Sequence, residues 1–286
     1  MNREELFKST KSILHPEIAQ KQTFAIVGVG SGGARVAEEV VRFGAGRIFL
    51  IDLPGEVLKE HNIIRHPLGY SSLGQLKVDA MKRRLNDINP ACDVRTFEVD
   101  VTRDAAGLAG IVSQCTQVMI CTDNEPSKHA VNVAAVAAGV PMSFAGVFDG
   151  GCGGEVGRVL PGGACYACIA SHLQRNSHEE ETVESFDYTN PNSVAPQRST
   201  PALNIDIAQI ALIQARVALL TMLGSEELQG NYILFGNRKV DGLFPRILHS
   251  EIWQIDAKEN CLICGRRNVS EEASADELLA AAHASE

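Results

Sequence analysis

Two Cys-x-x-Cys pairs constrain the folding of this chain more than any other feature: Cys165–Cys168, in CYAC, and Cys261–Cys264, in CLIC. Each pair can present two thiolates from one tight turn, and two distant pairs supply the four ligands of a closed tetrahedral zinc site. A redox pair would be a single dithiol beside a βαβ unit. Here the second pair runs directly into Gly265 and Arg266, the compact form of a zinc knuckle. The expectation is a shared structural Zn²⁺ on Cys165, Cys168, Cys261 and Cys264; the alternative is two unrelated core or redox pairs. A shared metal would tie the chain near its C-terminus back to its middle.

Ahead of the first pair, the pattern alternates between strand and helix. Phe24 to Val27 reads as an apolar strand, followed by a glycine turn and a helix ending near Gly44. Arg47–Ile51, Val94–Val99 and Val118–Cys121 are further strands, with helices over 73–87 and 126–138. That alternation predicts an α/β fold: a Rossmann-like three-layer αβα sandwich with a mostly parallel sheet and crossover helices. The second half is more elaborate and carries the zinc knuckles. Residues 146–163 hold eight glycines and read as extended or looped, and 176–201 is a polar loop rich in acids and prolines. A long helix is expected at 203–223, then short strands at Tyr232–Phe235 and Glu251–Ile255.

Composition narrows the classes. A chain of 286 residues buries roughly 75% of the surface its unfolded state exposes, so the core needs no metal in principle. The net charge of -9 argues against a nucleic-acid partner, which would call for a basic stripe. The start, MNREELFKSTKSIL, has no signal-peptide pattern. The most apolar stretch, Leu203 to Leu223, is interrupted by Asp206, Gln209, Gln214 and Arg216, so no membrane span is expected. Cysteine usage suits a reduced, cytoplasmic protein.

The turn FAIVGVGSGGARVAEEV places Gly28, Gly30, Gly32 and Gly33 between strand and helix. Gly28 permits the tight turn, Gly30 lets the backbone approach a phosphate, and Gly33 allows close helix–strand packing. The helix N-terminus offers free N–H groups to an anion, and Asp52 at the end of the second strand is placed to accept from ribose hydroxyls. A dinucleotide and an ATP-like nucleotide both fit so far. Downstream, Asn62, Arg65 and Lys77 supply more positive charge than hydride transfer needs, and Asp123 in CTDN can supply a carboxylate to Mg²⁺. That set suits a triphosphate attacked at its α-phosphorus.

In this order, GVGSGG at 28–33, Asp52, NIIR at 62–65, Lys77, CTDN and two Cys-x-x-Cys pairs resemble the ThiF/MoeB/HesA family, bacterial relatives of the ubiquitin-activating E1 enzymes. The likeness runs from KSILHPEI, near residue 11, to CLICGR at 261–266. It implies ATP- and Mg²⁺-dependent adenylation of a carboxylate, most simply the C-terminus of a ubiquitin-like or sulfur-carrier protein. Arg65 and Lys77 would neutralise phosphates, Asn62 would orient them or the incoming carboxylate, and Asp123 would hold Mg²⁺. The resemblance also implies a homodimer in which an N-terminal arginine reaches the partner's nucleotide site. On this reading residues 1–20 are a leader with a possible dimer contact, 21–268 an adenylation domain with its zinc clamp, and 269–286 an acidic tail.

Three departures stand out. The segment from Asp52 to Asn62 is about two residues longer than usual, placing Pro54 where the family has a second acid. Lys11 stands where the N-terminal arginine is expected, with Arg3 as a substitute, and lysine lacks the bidentate fork. Residues 169–260, the usual place of a catalytic cysteine, contain none. Cys92, Cys115 and Cys121 border apolar segments, and Cys152 lies in a glycine loop. Two other readings remain: a nicotinamide-dependent oxidoreductase, and a non-catalytic nucleotide-binding partner or scaffold.

Overall fold

The computed structural model describes residues 3–173 and 201–265. Most of the polar 176–201 stretch, Arg266, the 269–286 tail and the side chain of Arg3 lie outside the described residues.

The described strands form one eight-stranded sheet in the order β3-β2-β1-β4-β5-β6-β7-β8. Five are parallel: β1 (Thr23–Val27), β2 (Arg47–Asp52), β3 (Asp93–Glu98), β4 (Gln117–Ile120) and β5 (Met142–Val147). The remaining three, β6 (Gly153–Val159), β7 (Tyr232–Gly236) and β8 (His249–Trp253), continue the sheet as an antiparallel meander. The order reverses between β1 and β4, which opens a crevice at the carboxyl ends of those strands.

Side-chain alternation divides the core into two layers. Phe24 and Ile26 of β1, with Ile48 and Leu50 of β2, face α3 (Ser31–Arg42), α5 (Lys77–Ile88) and α9 (Asn204–Met222). Ala25, Val27, Phe49 and Ile51 face α6 (Ala105–Val112), α7 (Glu125–Ala138) and α8 (Tyr166–His172). Strands buried on both faces read as continuous apolar runs, and the three-layer αβα arrangement expected from the sequence is present. Short helices α1 (Arg3–Leu6), α2 (Pro16–Gln20) and α4 (Glu60–Ile63) complete it.

Two elements differ from the sequence reading: the glycine-rich stretch, and helix α6, which that reading does not contain. The glycine-rich stretch is chiefly an interior strand: β6 pairs β5 with Met142 opposite Val159, and β7 with Gly153 opposite Gly236. Its glycines make room for aromatic rings; a Cβ on Gly157 would lie 2.1 Å from the Phe144 ring. Only the turn at Asp149–Gly151 remains to border a groove. Helix α9 is long and apolar enough to cross a membrane by length and composition, yet its polar residues secure it to the sheet. Gln214 donates to the Ile120 carbonyl at 3.0 Å, and Gln117 donates to the Ala218 carbonyl at 3.0 Å. Buried amides that find such partners mark a core helix of a folded domain.

Candidate active site and zinc clamp

Four glycines open α3, but the fold requires only two of them. Gly28 has φ +88°, and its N–H donates to the Ile51 carbonyl at 2.8 Å, closing the turn on β2. A Cβ on Gly33 would lie 1.9 Å from the Gly28 carbonyl oxygen, so any side chain would separate α3 from the turn. Gly30 is different: its φ is -74°, and a Cβ there would meet nothing within 4 Å. Gly32 would meet only Ile207, at 3.8 Å. Neither backbone strain nor packing demands glycine at 30, whereas close approach of a ligand to the backbone would.

The other candidates gather around this turn. Asp52 ends β2 and accepts from the Val29 N–H (3.2 Å) and the Leu53 N–H (3.0 Å). Burial pushes its carboxyl above the usual range, outweighing Lys77 and those two N–H groups. Gly28 packs on the Cys121 backbone and the Thr122 side chain, which puts exposed Asp123 one residue from the turn at the end of β4. Asn124 then caps α7, accepting from the Ser127 N–H at 2.9 Å. Asn62 accepts from the Lys59 N–H at 3.0 Å and so caps α4, while half-buried Arg65 follows that helix.

Lys77 begins α5, and its Nζ lies 2.6 Å from the Glu56 carboxylate. The Lys77 N–H also donates to the Glu56 carbonyl at 2.9 Å. Glu56 answers the question raised by Pro54: Pro54 and Gly55 (φ +74°) loop out, and the acid returns two residues later to face the lysine. The two-residue excess in this segment is the signal for it: the acid facing Lys77 is at 56 rather than 54. His66 was missed altogether. It is buried, and its ring joins the Asn62–Arg65 turn to the Val29 carbonyl at 3.0 Å.

A groove of about 530 Å³ opens beside these groups, lined by His61 and Arg65 on one side and Gly150, Pro201, Ala202 and Leu203 on the other. Lys11 lies elsewhere. Its N–H donates to the Phe7 carbonyl at 2.9 Å, and Phe7 packs on Gly44 beyond the C-terminal end of α3. A 12-residue helix, about 18 Å long, separates that end from the glycine turn of the same chain.

The four paired cysteines converge. Their sulfurs all lie within 4.8 Å of one another, with Cys168–Cys264 at 3.4 Å, Cys165–Cys261 at 3.7 Å and Cys165–Cys168 at 4.0 Å. A tetrahedron with Zn–S bonds of about 2.3 Å has edges of about 3.8 Å. The donor set therefore fits zinc. Burial disfavours ionisation at Cys261, but the Cys264 and Ile263 N–H groups and the facing thiols bring it down to about 7. The Lys258 N–H points at the Cys168 sulfur at 3.4 Å, and a Cβ on Gly265 would lie 2.4 Å from the Cys261 carbonyl oxygen.

The clamp leads back to the crevice. Cys165 caps α8, where the Tyr166 N–H donates to Asn132 at 2.9 Å. The Tyr166 hydroxyl donates to Glu125 at the start of α7, and Lys128 lies 2.9 Å from the same buried carboxylate. Outside the clamp, burial holds Cys115 and Cys121 as thiols, both pushed up to about 12.

A parallel α/β sheet with a phosphate-type glycine turn at its switch point, backed by a four-thiol clamp, defines a nucleotide-binding protein of the E1-like type. The chain belongs to the ThiF family, matched over residues 16–252. It is 40% identical over 88 residues to the tRNA threonylcarbamoyladenosine dehydratase of Bacillus subtilis, covering 31% of this chain and 34% of that protein. It is 26% identical over 174 residues to ubiquitin-like modifier-activating enzyme 5 of Oryza sativa, covering 57% of this chain and 41% of that protein. The chain thus spans less than half the length of these curated relatives. Among solved structures, E. coli MccB with ATP superposes with a TM-score of 0.67 at 19% identity, over 87% of this chain and 68% of that one. Microcin C7 biosynthetic enzyme MccB with N-formylated MccA gives 0.68 at 18%, over 87% and 69%.

Proposed function

We propose that this protein activates a carboxylate by ATP-dependent adenylation, and that the carboxylate is the C-terminus of a ubiquitin-like or sulfur-carrier protein. The observation that carries the reading is the glycine turn, open at Gly30 where the fold needs no glycine. Around it stand Arg65, Lys77 and Asp123. One carboxylate oxygen attacks the α-phosphorus; the bond to the bridging β-phosphate oxygen breaks, and pyrophosphate leaves with that electron pair. The product is an acyl-adenylate anhydride. The attacking carboxylate is already ionised at neutral pH, so no protein base is required. Catalysis rests on placement and charge stabilisation.

Gly30, Gly32 and the first N–H groups of α3 bind phosphate oxygens, and Asp52 takes the ribose. Lys77 and Arg65 balance charge spreading over the phosphates, and Asn62 orients the α/β-phosphates or the incoming carboxylate. Mg²⁺, held by Asp123, would supply further charge neutralisation on the leaving pyrophosphate. The zinc clamp is structural. With Cys115 and Cys121 held as thiols, no thioester step is assigned, and Cys152→Ala leaves activation unchanged.

The position of Lys11 supports a homodimer. Lys11 cannot reach its own glycine turn, and α9 turns a largely apolar face outward around a hollow of about 380 Å³ lined by Leu212, Ile213, Leu220, Leu228 and Ile233, with exposed Arg216 at its edge. Leu212→Asp is expected to shift the sedimentation coefficient from dimer to monomer; wild-type protein that sediments as a monomer at micromolar concentration removes this part of the reading.

The name of the B. subtilis relative brings in a second carboxylate, the threonylcarbamoyl group on tRNA. The net charge of -9 favours a protein partner over a polyanion. The deciding assay is exchange of labelled pyrophosphate into ATP, with a carrier-protein C-terminus and with the modified tRNA as separate acceptors. Exchange with the carrier supports the proposal, and exchange with tRNA alone replaces its substrate. NADH binding without ATP binding would turn the reading to an oxidoreductase, whereas ATP binding without exchange on any acceptor would leave a scaffold.

A further inference from the structure

We propose that His66 is a positioning residue for the nucleotide: its neutral imidazole locks the glycine turn to the Arg65 turn, and the grip on phosphate is released when that ring takes up a proton. The inference rests on the nucleotide-binding reading above and adds a residue and a pH dependence to it.

The hydrogen bonds define the ring's state. Nδ1 lies 3.1 Å from the Leu68 N–H, which can only donate, so Nδ1 is the acceptor. The proton is therefore on Nε2, which donates to the Val29 carbonyl at 3.0 Å. The backbone beneath the ring is fixed as well, because the His66 N–H donates to the Asn62 carbonyl at 2.9 Å. Val29 is secured from two directions: His66 holds its carbonyl, and Asp52 accepts from its N–H at 3.2 Å.

The consequence falls on Gly30. The Val29 carbonyl and the Gly30 N–H belong to one planar trans peptide and point in opposite directions. Holding the oxygen against His66 turns the Gly30 N–H away from the ring. Gly30 is also the position where the turn has open space. The histidine thus aims a backbone donor that it does not itself touch, while the same residue anchors Arg65, its neighbour in the chain.

Protonation would break this arrangement. A doubly protonated ring presents an N–H to the Leu68 N–H, and two donors cannot share that contact. The groups facing the ring oppose the charge. Lys77 from α5 and Arg35 from α3 repel it; Glu38 attracts it but is already engaged by Arg35 at 3.1 Å and Arg84 at 2.8 Å. Burial, foremost, with these cations, holds the imidazole below its ordinary range, while its bond to Val29 works the other way. The ring is neutral at pH 7, and the lock opens as pH falls through that lowered value.

Two variants of the full zinc-loaded chain separate this role from simple packing. His66→Gln can keep the bond to Val29, its amide nitrogen standing where Nε2 does, but it cannot titrate. His66→Ala keeps neither. Affinity for a non-hydrolysable ATP analogue with Mg²⁺ is measured by calorimetry from pH 8 to 5.5. Wild type is expected to lose more affinity than His66→Gln as pH falls, up to the roughly tenfold worth of one neutral hydrogen bond once the ring is fully protonated, and His66→Ala to be weak throughout. His66→Ala binding like wild type, or His66→Gln retaining the full wild-type pH dependence, overturns the proposal. Hydrogen exchange over residues 28–33 at fixed pH, without nucleotide, tests the lock separately. Faster exchange in His66→Ala than in His66→Gln supports it, and equal rates refute it. If no form binds nucleotide, the functional reading fails, while the exchange result still decides the lock.

Discussion

Removing one ligand from the four-cysteine clamp should destabilise the whole domain. Cys168 and Cys261 are separated by about ninety residues, and the metal would close that loop from both Cys-x-x-Cys turns at once. Treated as a cross-link, closure of a loop this long is worth about 4–5 kcal/mol of denatured-state entropy. For a domain of this size each kcal/mol moves the midpoint by about 2–4 °C, so Cys264→Ala or complete chelation should lower Tm by on the order of 10–15 °C. The effect should reach the crevice too, because α8 carries both Cys168 and Tyr166, and Tyr166 holds Glu125 at the start of α7. Nucleotide affinity should therefore fall alongside Tm, although the cysteines touch no nucleotide. The measurements are zinc content by plasma mass spectrometry, thermal unfolding with and without EDTA, and calorimetric titration of an ATP analogue. Protein from zinc-replete medium carrying far less than one zinc per chain, with a Tm insensitive to chelator, would refute the clamp.

Gly33→Ala should cost about 1–3 kcal/mol or more, since its Cβ would lie 1.9 Å from the Gly28 oxygen, whereas Gly30→Ala should change stability by less than about 0.5 kcal/mol yet weaken nucleotide binding. Denaturant unfolding and calorimetry read both effects; equal nucleotide affinity in Gly30→Ala and wild type would remove the ligand from the explanation of that glycine. Asp52→Asn should be at least as stable as wild type at pH 7. The folded protein holds that proton more tightly than the unfolded chain does, so the ionised carboxylate carries a burial penalty that disappears as pH falls through its raised pKa. The same variant should lose ATP affinity, and a variant both less stable and fully competent to bind would contradict the assignment. Lys77→Ala should reduce pyrophosphate exchange by about 10²–10³, the usual loss of one transition-state contact, and should also lower the unfolding midpoint, because it leaves the Glu56 carboxylate without its ion-pair partner.

Much of the candidate site is legible because the residues proposed for it are marked by local spacing. The glycines between an apolar strand and a helix, the acid ending the next strand and the paired cysteines each depend on neighbours a few residues away. Helix α6 was not legible: AAGLAGIV has two glycines and no polar face, and its helical state comes from burying Leu108, Ile111 and Val112 and from Asp104 capping the Gly107 N–H. Strand β6 was obscured by glycines whose purpose is to admit Phe144 of the adjoining strand and Phe244 from a distant part of the chain. Glu56 and His66 were hidden for the same reason. Neither matches a short pattern, and each is defined by a partner, Lys77 or Val29, that only folding brings near.

The sequence by itself determined the alternation of strand and helix, the glycine turn that starts α3, and the identity of the candidate groups proposed for phosphate, ribose and metal. Those follow from backbone sterics, apolar periodicity and side-chain chemistry, all of them local. Tertiary structure alone decided the antiparallel continuation of the sheet, the meeting of four sulfurs from turns about ninety residues apart, and the ion pair and histidine bond that set Lys77 and the glycine turn. These depend on distances between segments remote in sequence, and such distances exist only once the apolar layers have packed.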